Sequence, residues 1–494
     1  MIKNPEQFFL DNPPEKRAFI GGRYVEAAQG RSMSKKNSYN GYDLSGIADC
    51  DENDVDNAVQ CAKAVYESGV WSDADVVKRK EVILQFADLM EKHREEIALL
   101  DTIETCRSFQ NYYYDSIPKA IEAVRYFAEA VDKEYDRSIC GRKDMHGIVK
   151  RVPLGVVGII TPWNDPMVVT MWKVIPSLLM GNSVVVKPAE QSSLSTIRIA
   201  ALMQEAGLPD GVFNVVPGRG EVAGKALALH MDVRGIFFTG SSEVGKKLLA
   251  YAGQSNMKKV GLECGGKGPY IVSAHCKDIA LAAKTLADNM FYNQGQICSA
   301  PSRVLVDSNV KDCFIEELKK HCDAYVPDCP YSLDSKVGCV VSREQFDKVQ
   351  GYISYARTQG YTVYQPKERG TMPEDACGVL PTVITDVPVE DKLASEEIFG
   401  PVVVVLETNS TEEAIAIANS SEYGLAGAVW TDDLNEAYEV ARRVEVGLMH
   451  VNSYGEDDNA APFGGVKQSG LGKDKSSYAF DEYSDLKTIW MKFR

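Results

Sequence analysis

Several features are missing from this sequence, and each absence excludes a class of protein. No stretch runs long enough without charge to cross a bilayer, so no membrane-spanning helix is expected. The first residues, Met1-Ile2-Lys3-Asn4-Pro5-Glu6, hold no apolar signal-peptide core. Basic residues are in deficit: 54 Lys and Arg stand against 70 Asp and Glu, giving a net charge of −16. Binding a nucleic acid needs clustered Lys and Arg, so that partner is not expected either. Histidine is scarce, six in 494 residues, and none has metal-ligand spacing, so no metal site is expected. The twelve cysteines include no CxxC pair and no regular spacing, which with the polar start points to reduced thiols in the cytoplasm. There is no internal repeat and no low-complexity tract. What remains is an acidic globular chain too long for one core, and two or three domains are expected.

Residues 1 to about 150 read as mostly helical. Val55 to Val70, Lys78 to Leu100 and Ser116 to Val131 carry apolar residues at helical spacing, the first behind an acidic start, Asp51-Glu52-Asn53-Asp54. From Gly155 the texture changes to apolar strands alternating with helices: Gly155–Thr161, Val184–Lys187, Val212–Val216 and Gly235–Thr239, with helices over Leu194–Ala206 and Glu243–Ala252. That alternation implies a parallel sheet covered on both faces, with ligands at the strands' carboxyl ends. A second α/β series begins near Leu262 and contains Cys298, on the stretch Asn293-Gln294-Gly295-Gln296-Ile297-Cys298 between a helix and a strand. A cysteine on a turn between two rigid elements is exposed yet held still. The tail, Tyr483 to Phe493, reads as a strand that needs a partner edge, which another subunit is one way to supply.

Two nucleotide motifs are approached and missed. Gly240-Ser-Ser-Glu-Val-Gly245-Lys246 resembles a phosphate-binding loop, but Lys247 stands where magnesium needs Ser or Thr. Gly218, Gly220 and Gly224 are spaced one residue too far for the dinucleotide fingerprint. A strand end leading into a helix N-terminus still favours a phosphate there. Lys187 and Glu190 close a strand, either as a solvated pair or as a holder of ribose hydroxyls, in which case the carboxylate repels a 2′-phosphate and favours NAD over NADP. Glu263, between a strand and Gly265-Gly266, is a candidate general base, and the Asn164 amide a candidate oxyanion donor.

Pro162-Trp163-Asn164, Lys187-Pro-Ala-Glu190, Phe238-Thr-Gly-Ser241, Leu262-Glu-Cys-Gly-Gly-Lys267, Asn293-Gln-Gly-Gln-Ile-Cys298, Glu396-Glu-Ile-Phe-Gly-Pro401 and Pro462-Phe-Gly-Gly-Val-Lys467 follow one another in the order seen in the aldehyde dehydrogenase superfamily. The chain resembles that family over nearly its whole length, and within it the bacterial γ-glutamyl-γ-aminobutyraldehyde dehydrogenase group. The resemblance implies a Rossmann-like NAD-binding domain (residues 1–131 and 152–262), a second α/β catalytic domain (263–466) and a small β oligomerisation arm (132–151 and 478–494), assembling as a homodimer or homotetramer. It implies that Cys298 attacks an aldehyde, that Asn164 and the Cys298 backbone N–H hold the oxyanion, and that Glu263 activates water against the thioester. For NAD it implies Lys187 and Glu190 at the adenosine ribose, Gly240 and Ser241 at the pyrophosphate, Glu397 and Phe399 at the nicotinamide half with Gln345 and Lys348 bordering a ribose, and Thr161, Trp163, Gly220 and Thr239 in the same site.

Departures from the family pattern bear on substrate. Asp165 stands where fatty-aldehyde oxidisers often have an aromatic, and Glu456-Asp457-Asp458 where many relatives have another, while Trp172, Tyr292 and Phe463 keep the tunnel wall aromatic. Aromatic sides with acids at the mouth suit an amino or amino-derived aldehyde, unless the acids are merely solvated loop residues. Aromatic or aliphatic aldehydes are the alternative, as are a CoA-acylating enzyme, which the hydrolytic base Glu263 argues against, and a non-catalytic structural relative. Cys106-Arg107 replace a common Gly-Lys, and Asp474 replaces a common glutamate.

Overall fold

The computed structural model describes residues 8–9, 11–139, 141–367, 370–455 and 458–493. Three sheets organise them. The first has eight strands, in the order Arg23–Val25, Ala18–Ile20, Phe213–Val215, Ser183–Lys187, Val156–Ile160, Val233–Thr239, Lys259–Glu263, Gly470–Leu471. Its five strands from Phe213–Val215 to Lys259–Glu263 run parallel. Continuous apolar runs such as Val184-Val185-Val186 form them because helices cover both faces, and all five residues of Ser183–Lys187 are buried.

Strand order reverses beside Val156–Ile160: the chain goes on to Ser183–Lys187 on one side and returns at Val233–Thr239 on the other. Such a switch opens a crevice at the strands' carboxyl ends, between Thr161 and Thr239. The second sheet has seven strands in the order Thr362–Tyr364, Thr382–Thr385, Val402–Thr408, Arg303–Asp307, Pro269–Val272, Ala426–Trp430, Leu448–Val451, parallel except for the first pair. The third is antiparallel: Ser484–Lys492 pairs with Met145–Pro153, which also pairs with Arg137–Ile139.

Several expectations need correction. The N-terminal part is not mostly helical throughout, since short strands occupy Ala18–Ile20, Arg23–Val25, Ser32–Met33 and Ile47–Ala48. The helix expected over Lys78–Leu100 is two, Val76–Lys92 and Arg94–Thr105, broken at His93. The tail strand, for which another subunit is only one way to supply an edge, needs no such correction: it pairs with Met145–Pro153 of its own chain along nine register pairs. Pro166–Leu179 is a helix that periodicity does not reveal. All 14 of its residues are buried, so it has no polar face to alternate with an apolar one. By contrast, the acidic start of Glu52–Glu67 caps it as expected: Asp51 accepts from the Asn53 and Asp54 backbone N–H groups, and Asp54 reciprocates to the Asp51 N–H. No helix among the described residues is long and apolar enough to cross a membrane.

Candidate active site

The turn carrying Cys298 is fixed residue by residue. Helix Ile279–Met290 ends, and Asn293, Gln294 and Gly295 then adopt left-handed φ values of 49°, 55° and 65°. At Gly295 a Cβ would lie 2.3 Å from the Gly400 carbonyl oxygen, so only glycine fits. The Gln294 and Gln296 side chains accept from the Val379 and Val341 N–H groups, both at 3.0 Å, tying the turn to two neighbouring loops. Behind the cysteine, a Cβ on Gly266 would stand 2.5 Å from the Cys298 carbonyl oxygen. The glycine pair after Glu263 thus lets two backbones meet.

Asn164 follows strand Val156–Ile160 and reaches the same turn, its amide donating to the Gln296 carbonyl at 3.0 Å. Asn293 answers by donating to the Asn164 carbonyl at 3.0 Å. One amide hydrogen of Asn164 is thereby anchored, and the other remains for an oxyanion. Burial pushes the Cys298 thiol up to about 12, with Glu397 and Glu263 adding to the shift and the Ser299 and Cys298 backbone N–H groups opposing it. Glu263 is 5% exposed, and neither carboxylate oxygen has a hydrogen-bond partner. Burial, then Asp474, holds its carboxyl well above the ordinary range, against Lys173 and Lys473. Lys173 and Asp474 form a buried ion pair at 2.6 Å.

Three cavities run in series. The first, about 580 Å³, sits in the crevice and is lined by Thr161, Trp163, Lys187, Glu190, Gly220, Thr239 and Gly240 among others. Glu190 lies 3.4 Å from the buried Lys187 ammonium and accepts from the Gly220 N–H at 2.6 Å. The second, about 190 Å³, shares Trp163, Thr239 and Gly240 with the first and adds Asn164, Ser241, Gln345, Lys348, Glu397, Phe399 and Cys298. There the Gly266 N–H donates to Glu397 at 3.0 Å, Gln345 donates to the Phe399 carbonyl at 2.7 Å, and the Trp163 and Phe399 rings meet edge-on at 5.3 Å. The third, also about 190 Å³, lies on the opposite side of Cys298 and Asn164, which line both. Its wall includes Asp115, Lys119, Asp165, Trp172, Tyr292, Tyr454 and Phe463, with the Trp172 and Phe463 rings 5.2 Å apart.

The first two cavities suit a dinucleotide. The buried hydroxyls of Thr161 and Thr239 have no partner, and Ser241 caps helix Ser242–Gln254, whose N-terminus faces the crevice. The Lys187 ammonium has Glu190 as its carboxylate, and at Gly265 a Cβ would strike Glu397 at 2.2 Å, so glycine keeps that wall open.

Among the expected residues, all but two line one of the three cavities. Glu263 lines none of them, although its neighbours Cys264 and Gly265 line the second, and Asp457 lies outside the described residues. The reading of Asp165 as an acid available to a cation is corrected: it is ion-paired with Arg107 at 3.0 Å and accepts from the Ser116 hydroxyl. Sequence reasoning missed Asp115, Lys119, Val168, Val169 and Tyr454 on the third wall. The spacing of Asp165, Val168, Val169 and Trp172 along one helical face is a signal that finds two of them.

The sequence profile described as the aldehyde dehydrogenase family matches residues 24–489. The chain is 43% identical to an NADP/NAD-dependent aldehyde dehydrogenase, PuuC, of Escherichia coli over 97% of this chain and 96% of that one. It is 39% identical to an aminoacetaldehyde dehydrogenase of Pseudomonas aeruginosa, over 98% and 96%. Among solved structures, a γ-glutamyl-γ-aminobutyraldehyde dehydrogenase of Burkholderia cenocepacia superposes with a TM-score of 0.95 at 43% identity, covering 99% of each chain. An indole-3-acetaldehyde dehydrogenase of P. syringae, in complex with NAD+, superposes at 0.96 and 42%, again over 99% of each.

Proposed function

The chain belongs to the aldehyde dehydrogenase family, and from that premise we propose that it oxidises an amino or amino-derived aldehyde to the carboxylic acid, with NAD as acceptor, through Cys298. The observation that carries this reading is the shared wall: Cys298 and Asn164 stand between a cavity suited to a nicotinamide and an aromatic cavity suited to an aldehyde. NAD would be held by the residues of the first two cavities and would serve as the hydride acceptor.

The protein's own groups do the rest. The Cys298 thiol gives its proton up to solvent and the sulfur attacks the carbonyl carbon. Negative charge gathers on the oxygen, where the free Asn164 amide hydrogen and the Cys298 N–H hold it. Departure of the hydride leaves a thioester on Cys298. Glu263, once ionised, takes a proton from water as the water attacks that thioester, and the acid and the thiol are released. In an Asn164→Ala variant kcat/KM is expected to fall by about 10²–10³-fold, the usual worth of an oxyanion donor. A loss below threefold in steady-state assays would remove Asn164 from this role.

Glu190 sets cofactor choice through its bonds to Lys187 and Gly220. Glu190→Ala is expected to weaken NAD binding and to narrow the preference for NAD over NADP by about tenfold each. Titration of the two reduced cofactors by fluorescence measures both. The amine preference is supported by Asp115 on the third wall and by the amino-aldehyde relatives. It is tested by kcat/KM for ω-amino aldehydes against alkyl aldehydes of equal length and against indole-3-acetaldehyde. Equal or lower values for the amines overturn it.

We assign residues 1–131 and 152–262 to the NAD-binding domain, 263–466 to the catalytic domain, and 132–151 with 478–494 to an oligomerisation arm. The arm reading is supported by exposed apolar side chains on the tail strand, Leu486, Trp490 and Met491. Trp490→Glu is expected to shift the protein toward smaller species in sedimentation, whereas an unchanged distribution would count against a homo-oligomer built through this strand.

A further inference from the structure

Arg107 follows Cys106, which ends helix Arg94–Thr105 with a left-handed φ of 58° and turns the chain inward. The arginine side chain is 2% exposed and lies behind the third cavity's wall without lining it. Its guanidinium stands 4.8 Å from the ring centres of both Tyr112 and Tyr292. One arm of the fork meets Asp165 at 3.0 Å, and the other donates to the Tyr292 hydroxyl at 2.5 Å. That hydroxyl donates in turn to Asp115 at 2.5 Å. Asp115 also holds Lys119 at 2.8 Å, and the Lys119 side chain is half-exposed.

Charge at this end of the tunnel is therefore balanced in two unequal pairs. The Arg107–Asp165 pair is locked from behind by two rings, and a planar fork between rings is a geometry that lysine does not reproduce. The Asp115–Lys119 pair is open to solvent, so its cation is free to swing away. Burial alone would raise Asp115, but Lys119, Tyr292 and Arg107 together hold it below the ordinary range.

We propose that Arg107 is a positioning residue that sets the charge selectivity of the aldehyde tunnel, by cancelling Asp165 and fixing the Tyr292 hydroxyl from behind the wall. An incoming charged group then meets Asp115 as the one available carboxylate of the pair. This rests on the third cavity being the aldehyde tunnel, and it extends that reading from the wall to a residue the substrate never touches.

The test uses three aldehydes of similar length: 4-aminobutanal, pentanal and the anionic 4-oxobutanoate. Arg107→Met keeps the stem and uncovers Asp165. It is expected to raise the cation-to-neutral ratio of kcat/KM about tenfold and to lower the anion-to-neutral ratio by a similar factor. Asp165→Asn leaves Arg107 uncompensated and is expected to move both ratios the opposite way. The double variant is expected to return them to within about threefold of the parent. Arg107→Lys retains the charge and the ratios, but releases Tyr292 and raises KM for all three. If both single variants depress all three substrates in equal proportion, or if the double variant restores nothing, the proposal is overturned. Should Arg107→Met not fold, Asp165→Asn alone carries the sign. Should the parent enzyme reject 4-aminobutanal, the amine reading falls while the anion-to-neutral ratio still reads Arg107.

Discussion

Replacing Cys298 by serine is expected to lower kcat by on the order of 10⁴-fold or more, while NAD still binds with close to its original affinity. The substitution removes the only atom on which the acyl group is carried, and Cys298 stands at the end of the cofactor path rather than within the first cavity. A hydroxyl in the same position is a far weaker nucleophile than a thiol and holds its proton more tightly. The thiol is itself poorly ionised at rest, being pushed up to about 12 by burial. Its thiolate fraction therefore grows tenfold per pH unit below that value, and iodoacetamide labelling of Cys298 in the free enzyme is expected to climb steadily from pH 7 to 10. A serine variant within tenfold of the parent would remove Cys298 as the nucleophile, whereas a flat labelling profile would show instead that the thiol is already ionised by pH 7.

Glu263→Gln is expected to separate the two halves of the reaction. Hydride transfer needs no base at the thioester, so one NADH per active site should appear in a burst. Turnover should then crawl, about 10²–10⁴-fold below the parent. The parent's own pH profile follows from the same residue. Burial and Asp474 raise the Glu263 carboxyl, so it is protonated and idle at low pH and becomes a base only as pH rises through its shifted value. Deacylation in single-turnover measurements should accordingly rise with pH, and the Gln variant should lose that limb. A Gln variant without a burst, or with an unchanged limb, places the base elsewhere.

Residues whose work is set by the local backbone are readable in the sequence. Asn293 to Cys298 announces a special turn because glycine and two amides precede a cysteine between a helix and a strand, and three left-handed residues are what they build. Lys187, Glu190, Gly240 and Ser241 fall at strand ends, where a parallel sheet must bind its ligand. Residues whose work depends on distant partners are not readable in that way. Asp165 looks like a free acid until Arg107 is seen beside it. Tyr112, Tyr113 and Tyr114 look alike in sequence, yet the first is fully buried and the third exposed, because a π-helical turn splits them between core and surface. Asp115, next in line, is the one that reaches the tunnel. Helix Pro166–Leu179 is hidden for the opposite reason: total burial erases the pattern that marks most helices.

The strand that delivers Glu263 has an outer neighbour drawn from far along the chain, Gly470–Leu471. The Cys264 N–H donates to the Ser469 carbonyl at 2.7 Å, and Tyr483 packs its ring against Phe237 at 4.3 Å. During synthesis the parallel strands and the nucleophile's turn emerge well before these partners exist. A nascent chain stopped short of residue 469 therefore leaves the base on an unprotected sheet edge, prone to pairing with a neighbouring polypeptide. A chain truncated before residue 469 is therefore expected to be inactive and prone to aggregation, because the outer partner of the Glu263 strand is missing.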